Sequence, residues 1–402
     1  MSLQTNEKLL KLTTHIVTPV FAKLNLLGLL HIIHNTNKTI PFKINPVGDI
    51  YEVHIYTKQG FEEEFVKTLV NITKQMLRYS EPQGREKAKR KKRKQETTER
   101  KNIVVEWFEV DQRFIYSGNK PTTLLESVEN LINASNYSYN DLIELLMRPI
   151  RHDVRSSSGK SPTLLLAPDL GKYSTAQIPY VNRYPNIIDG NLDEKDIYLC
   201  TAVSLIGLHA GFKSTIISTN AVDTYIAIPS PRTSLRTLHV SALYWIGRRL
   251  SFLSQKVNRI DTRRKEERFS LSIPGLYAVL SPIIKDCITS SETLKAFEVT
   301  IYRITSEIKG GQYVRDFVNM GLDRVELMPD GISSVLLANI NRLRDLIINV
   351  PEFFNLLGEY MLSGNDIIYV ESLRILASAL HDKDVPNSVK AVIREVLEHG
   401  AR

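Results

Sequence analysis

Twenty consecutive residues, 81–100, carry almost no apolar side chain. Such a stretch cannot enter a packed core, so the core must be built from what precedes and follows it. Within it Arg85, Lys87, Lys89, Arg90, Lys91, Lys92, Arg93 and Lys94 place eight positive charges in ten residues, opposed only by Glu86. Arg85 to Lys101 holds ten basic and three acidic residues, or +7 of the chain's net +8, which leaves the remainder near +1. The basicity is therefore local. The segment reads as a solvated loop or a mobile cationic arm inserted between a helix and a sheet.

The rest has the balance of a globular chain: 402 residues, 43% hydrophobic and 24% charged, enough for two or three packing units. Two cysteines, Cys200 and Cys287, exclude a disulfide scaffold and a four-cysteine zinc site and suit a reducing compartment. No secretory leader pattern opens the chain and no apolar run reaches the length of a membrane span, so a cytoplasmic protein without a membrane partner is expected.

Patterning predicts an α+β fold, with mixed sheet and helices in the N-terminal part and a predominantly helical C-terminal part. The expected divisions are 1–147, an α+β region with the basic insertion at 81–101; 148–281, an irregular segment, a hairpin and a basic helix; and 282–402, a helical domain. Leu9 to Ile33 has the spacing of a buried helix, and Pro41 and Pro46 break the pattern after it. Ile50 to Tyr56 alternates with period two and reads as a strand, whose partner is sought in a hairpin at Asn102 to Tyr116. Phe61, Phe65, Leu69, Ile72 and Met76 recur at helical spacing behind Glu62, Glu63 and Glu64, which suit the positive end of a helix dipole. Thr122 to Met147 reads as two short helices and Asp193 to Ala210 as another. Ser214 to Ile228 reads as a hairpin turning at Asn220 to Asp223. Thr233 to Asn258 is a strong helix, with Leu235, Ala242, Leu243, Ile246, Leu250, Leu253 and Val257 on its apolar side. From Pro282 onward, helices are expected at Phe297–Ile308, Val314–Met320, Gly331–Val350, Glu352–Leu362, Ile367–Ala379 and Ser388–Leu397, with Gly310-Gly311 as a turn between two of them.

No catalytic constellation stands out. His31 and His34 lack the further ligands a metal needs. Gly159-Lys160-Ser161 matches only the tail of a phosphate-binding loop, since the first glycine of that pattern is missing. Asp153, Asp169, Asp189, Asp193 and Asp196 show no spacing that selects an acid–base pair. The expectation is a binding protein, not an enzyme, with no cofactor and no metal. Two alternatives stay open: a nuclease-like or nucleotide-dependent enzyme using Asp153, Asp169 or Lys160, and a scaffold subunit that contacts only protein.

Charge favours a polyanionic partner. Lysine and arginine clusters neutralise phosphates without reading bases. Besides the eight residues at 85–94, Arg151, Arg155 and Lys160 crowd one segment. A second basic set, Arg232, Arg236, Arg248, Arg249, Lys256 and Arg259, lies on and around the strong helix, and Asn220 in the hairpin turn is a candidate base or sugar contact.

Leu208-His-Ala-Gly-Phe-Lys-Ser214, Ser218-Thr-Asn-Ala-Val-Asp223 and Ile228-Pro-Ser-Pro-Arg-Thr233, followed by the basic helix, resemble the large subunit of archaeal type I-A CRISPR interference complexes. The resemblance covers the central third of the chain. It implies a non-catalytic subunit of an RNA-guided complex, placed near the 5′ end of the guide RNA. Such a subunit helps recognise the protospacer-adjacent motif in target DNA and stabilises its opening. Guide RNA, target DNA and the other subunits of the interference complex are the implied partners. The cationic run at Arg85 to Lys94 is a departure from the family pattern.

Overall fold

The computed structural model describes residues 8–14, 19–38, 40–48, 50–78, 146–147, 203–204, 206–217, 221–235, 237–257, 259–262, 270–288, 290–307 and 312–400. They belong to two compact units, Met1–Leu208 and His209–Arg402. As expected, the N-terminal part mixes helices with sheet and the C-terminal part is more helical. The cationic segment, the Asn102–Tyr116 hairpin and nearly all of Thr122–Met147 lie outside the described residues.

The first unit is organised on a three-stranded antiparallel sheet in the order β1-β3-β2, formed by β1 (Lys8–Thr13), β2 (Phe42–Val47) and β3 (Ile50–Thr57). Leu10 and Phe42 both face Ile55, and Leu12 and Ile44 both face Val53, which gives one continuous apolar layer, all of it buried. Helices α1 (Pro19–Thr36) and α2 (Phe61–Arg78) contact each other, and α1 contacts β3. Phe61, Phe65 and Leu69 of α2 are buried, as their spacing predicts. Residues 22–30 of α1 are buried without interruption, the pattern of a helix enclosed on every side.

Three expectations for this unit are corrected. The apolar stretch Leu9 to Ile33 is not one helix: its first residues form β1, and Pro19 opens α1, where a missing N–H costs nothing. Pro46 does not end the pattern but sits in β2, an edge strand that tolerates a residue unable to donate. β3 does not pair with residues 102–116, because β1 and β2 occupy both of its edges.

The second unit has a five-stranded sheet in the order β6-β4-β5-β7-β8. Its strands are β4 (Phe212–Ile217), β5 (Ala221–Pro231), β6 (Arg259–Asp261), β7 (Phe297–Glu307) and β8 (Gln312–Gly321). All neighbours are antiparallel except β4 and β6. β4 and β5 are the expected hairpin. Phe297–Ile308 and Val314–Met320, expected as helices, are instead β7 and β8. Val299, Thr300, Ile301 and Tyr302 are all buried, so β7 is covered on both faces at its centre and loses the alternation that marks a half-exposed strand. Gly310-Gly311 accordingly falls between two strands rather than two helices.

Helix α3 (Thr237–Val257) lies against β4 and β5, and α4 (Ile273–Cys287) packs beside it and reaches β7 and β8. Pro282 does not begin a new helix but lies inside α4, where almost every residue from Ile273 to Ile284 is buried and packing overrides the lost hydrogen bond. After α5 (Ser291–Lys295) and the sheet come α6 (Asp330–Ala338), α7 (Leu343–Asn349), α8 (Pro351–Ser363), α9 (Asp366–His381) and α10 (Asn387–Gly400). The expected single helix at Gly331–Val350 is divided by a short 3-10 turn at Ile340–Arg342.

Two close helix approaches fix the packing, one in each unit. In the first, Gly28 of α1 faces Gly207, and a Cβ on either would collide with a backbone carbonyl, that of Val203 or of Leu24. In the second, Gly358 of α8 lies against the Pro274 carbonyl at the start of α4. Asn355, one turn earlier, accepts hydrogen bonds from the Ser272 N–H (2.8 Å) and hydroxyl (3.0 Å) and donates to the Ser270 carbonyl (2.8 Å). Ser272 in turn caps α4 by accepting from the Gly275 N–H at 3.0 Å. Gly28→Ala and Gly358→Ala should each destabilise the protein by about 1–3 kcal/mol, the usual cost of overpacking, read as a fall in the denaturant midpoint. A midpoint unchanged in both would contradict these close approaches.

Candidate nucleic-acid interface

Three of the predicted basic residues, Arg248, Arg249 and Lys256, are brought to one surface by the phase of α3. Leu243, Ile246, Leu250, Leu253 and Val257 are fully or almost fully buried, as the sequence predicts for its inner side. Beside this apolar ridge, two serines tie the helix to the chain below. Ser251 donates to the His209 carbonyl at 2.6 Å. Ser254 accepts from the Lys213 N–H at 3.2 Å and donates to the Lys213 carbonyl at 2.7 Å. At the helix end the Ser214 hydroxyl donates to the Val257 carbonyl. On the β6 side of β4, pairing begins only at Thr215, so Ser254 supplies the donor and acceptor that a neighbouring strand would give Lys213.

With that side held, Trp245, Arg248, Arg249 and Phe252 are exposed and Lys256 is half-exposed on the outer side. Trp245 is 47% and Phe252 41% accessible, unusual for aromatic rings on a helix whose other face is dry. Each ring carries a cation: the Arg248 guanidinium lies 5.3 Å from the Trp245 ring centre, and the Lys256 ammonium 5.3 Å from that of Phe252. Tyr244 meets Trp245 edge-on at 5.7 Å. Arg249 is oriented by Asp286 of α4 at 3.2 Å, a pair about half exposed on both sides.

The other predicted residues distribute differently. Arg232 is not at the start of α3 but beyond the end of β5, where it is exposed and pairs with Asp323 at 3.4 Å. Arg259 is half-buried at the start of β6. Arg85, Lys87, Lys89, Arg90, Lys91, Lys92, Arg93, Lys94, Arg151, Arg155, Lys160, Asn220 and Arg236 lie outside the described residues. The structure thus groups Arg248, Arg249 and Lys256, and places Arg232 after β5 and Arg259 in β6.

Sequence reasoning missed Trp245 and Phe252. The signal was present: they are seven residues apart, hence nearly in phase, and fall outside the apolar series of the helix. It also missed an ion-pair cluster on the sheet. Arg303 of β7 donates to one Asp223 carboxylate oxygen through Nε (3.2 Å) and Nη2 (2.6 Å), and Thr305 donates to the other at 2.6 Å. Burial works against the Arg303 charge, but Tyr225 beneath it and the Asp223 carboxylate outweigh that, and the guanidinium is held more firmly protonated than usual. This cluster joins β5 to β7 and is satisfied internally.

Burial pushes the Cys287 thiol up to about 11, against the opposing pull of Arg249, so it stays protonated near neutral pH and is a poor nucleophile. Among the described residues no group of three or more histidines, cysteines, aspartates or glutamates is arranged to hold a metal ion, and no helix is long and apolar enough to cross a membrane. No protein-family model matches the chain, and no curated protein matches its sequence.

Ser254→Ala should cost about 1–3 kcal/mol, because it leaves the part-buried Lys213 N–H and carbonyl without this partner. Thermal or denaturant unfolding measures the loss. Stability equal to that of the parent would show that the serine does not set the seating of α3.

Proposed function

We propose that the chain is a non-catalytic nucleic-acid-binding subunit of an RNA-guided DNA surveillance complex of the cytoplasm. In that complex it helps recognise the protospacer-adjacent motif and open the duplex, beside guide RNA, target DNA and other protein subunits. The observation that carries the binding role is the outer side of α3, where Arg248, Arg249 and Lys256 stand on a helix fixed to the sheet. Cations on such a support meet a phosphate backbone with less ordering cost than cations on a free chain. The finer assignment rests on the strings at 208–214, 218–223 and 228–233. They span the lead-in to β4, the connection to β5 and the end of β5, the segment of chain that delivers α3.

The eight charges at 85–94 supply a second, sequence-independent attraction. Their role differs from that of α3. Neutralising them weakens binding about equally on all duplexes, whereas changes on α3 or at Asn220 also alter motif preference wherever a side chain reaches a base edge.

The test is a salt series with the full chain on matched and motif-altered duplexes, preferably in the assembled complex. The triple variant Arg248→Gln, Arg249→Gln, Lys256→Gln should lower the slope of log K against log salt by up to about 0.9 for each duplex phosphate it ceases to neutralise. A slope unchanged by this variant removes α3 from the interface. If neutralising Arg85 to Lys94 also leaves the slope unchanged, a protein-only scaffold becomes the better account.

A further inference from the structure

We infer that the outer face of α3 is a stacking platform for single-stranded nucleic acid, with Trp245 and Phe252 as the two base-contacting rings. The inference rests on the nucleic-acid reading of the same helix and narrows its ligand.

Phosphate binding alone calls for cations and leaves no reason for two large aromatic rings beside them. Trp245 and Phe252 are nearly half exposed and lie off the apolar side of α3. Seven residues separate them, so they lie almost in line along the helix and about 10 Å apart on its axis. Arg248 and Arg249 fall between them, and Lys256 follows one turn beyond Phe252. The order along the surface is ring, two cations, ring, cation. A single strand presents the matching alternation, since its bases turn outward as flat π-faces while its phosphates follow in a row. A duplex cannot use the rings in this way without unstacking, because its bases are already covered above and below.

The local contacts prepare the site. Arg248 over Trp245 and Lys256 over Phe252 hold each ring beside a positive charge, and Tyr244 supports the edge of Trp245 from the buried side. The Arg248 guanidinium, 5.3 Å from the indole centre, is itself a planar group on which a base can stack. Asp286 fixes the Arg249 fork at the rim. Exposed rings and arginines also anchor protein partners; the alternation of rings and cations along one line, which matches the bases and phosphates of a strand, favours the single strand.

The full chain is tested by fluorescence anisotropy with labelled oligo(dT), with a hairpin duplex of equal phosphate number, and with heparin, which carries the charge but no bases. Trp245→Leu and Phe252→Leu should each weaken oligo(dT) binding at least about fivefold, the lower range for loss of one stacked base, and leave duplex and heparin binding within about twofold. Trp245→Phe should recover much of the affinity. Both positions are on the surface, and an unchanged unfolding midpoint verifies that the fold persists. Trp107 and Trp245 are the two tryptophans, so a Trp107→Phe background reports on Trp245 alone; its emission should be quenched by oligo(dT) and not by heparin. If the leucine variants bind oligo(dT) as the parent does, or weaken all three ligands equally, the stacking platform is overturned while the charge-based reading stands. If the parent binds none of the three, or binds without dependence on Arg248, Arg249 and Lys256, the nucleic-acid role of α3 itself fails.

Discussion

The seating of α3 on β4 is the constraint from which the candidate surface follows. An apolar ridge alone lets a helix rotate or slide by part of a turn at little cost, because hydrophobic attraction has no direction. The Ser254 hydroxyl adds direction. It satisfies the N–H and the carbonyl of one residue, Lys213, and so fixes one point of the helix against one point of the strand. Ser251 on the His209 carbonyl, and the Val257 carbonyl on Ser214, fix two more. With the rotation of α3 set, the residues out of phase with the ridge must face outward, among them Trp245, Arg248, Arg249, Phe252 and Lys256.

The sheet beneath is made stiff by different means. β5 and β7 pair over eleven residues, and at one end Arg303, Asp223 and Thr305 exchange charge-assisted hydrogen bonds across them. At the other end Tyr277 of α4 donates to the Gly321 carbonyl of β8 at 2.8 Å. α4 is in turn held by Asn355 and by the close approach of Gly358. The helical tail therefore bears on α3 through α4, whose Asp286 orients Arg249, and directly through α7.

Much of this was legible in the sequence where a single periodicity prevailed. The inner face of α3 and the apolar side of α2 follow from spacing, because each helix has one buried and one open side; the β4–β5 hairpin was legible from its turn residues around Asn220 to Asp223, although β5 is buried from Thr224 to Pro231. The failures at β7 and α4 share one cause. β7 is buried on both faces, so Val299 to Tyr302 show no alternation, and only their β-branched and aromatic character pointed to a strand. α4 is buried nearly all round, so its interior Pro282 looked like a boundary although packing carries the helix through it. The Asp223–Arg303–Thr305 cluster could not be foreseen, since 80 residues separate the aspartate from the arginine and nothing local marks the pairing. Arg248, Arg249 and Lys256 were visible as charge, but the rings beside them were hidden among the many apolar residues of the helix.

Photocrosslinking tests the central claim most directly. An oligonucleotide carrying 5-iodouracil at successive positions, bound to the full chain and irradiated, joins covalently to aromatic side chains that lie against its bases. The account predicts adducts at Trp245 and Phe252, suppressed more strongly by excess unlabelled single strand than by heparin at matched charge. Efficient crosslinking confined to other parts of the chain, with the peptides of α3 unmodified, would contradict it.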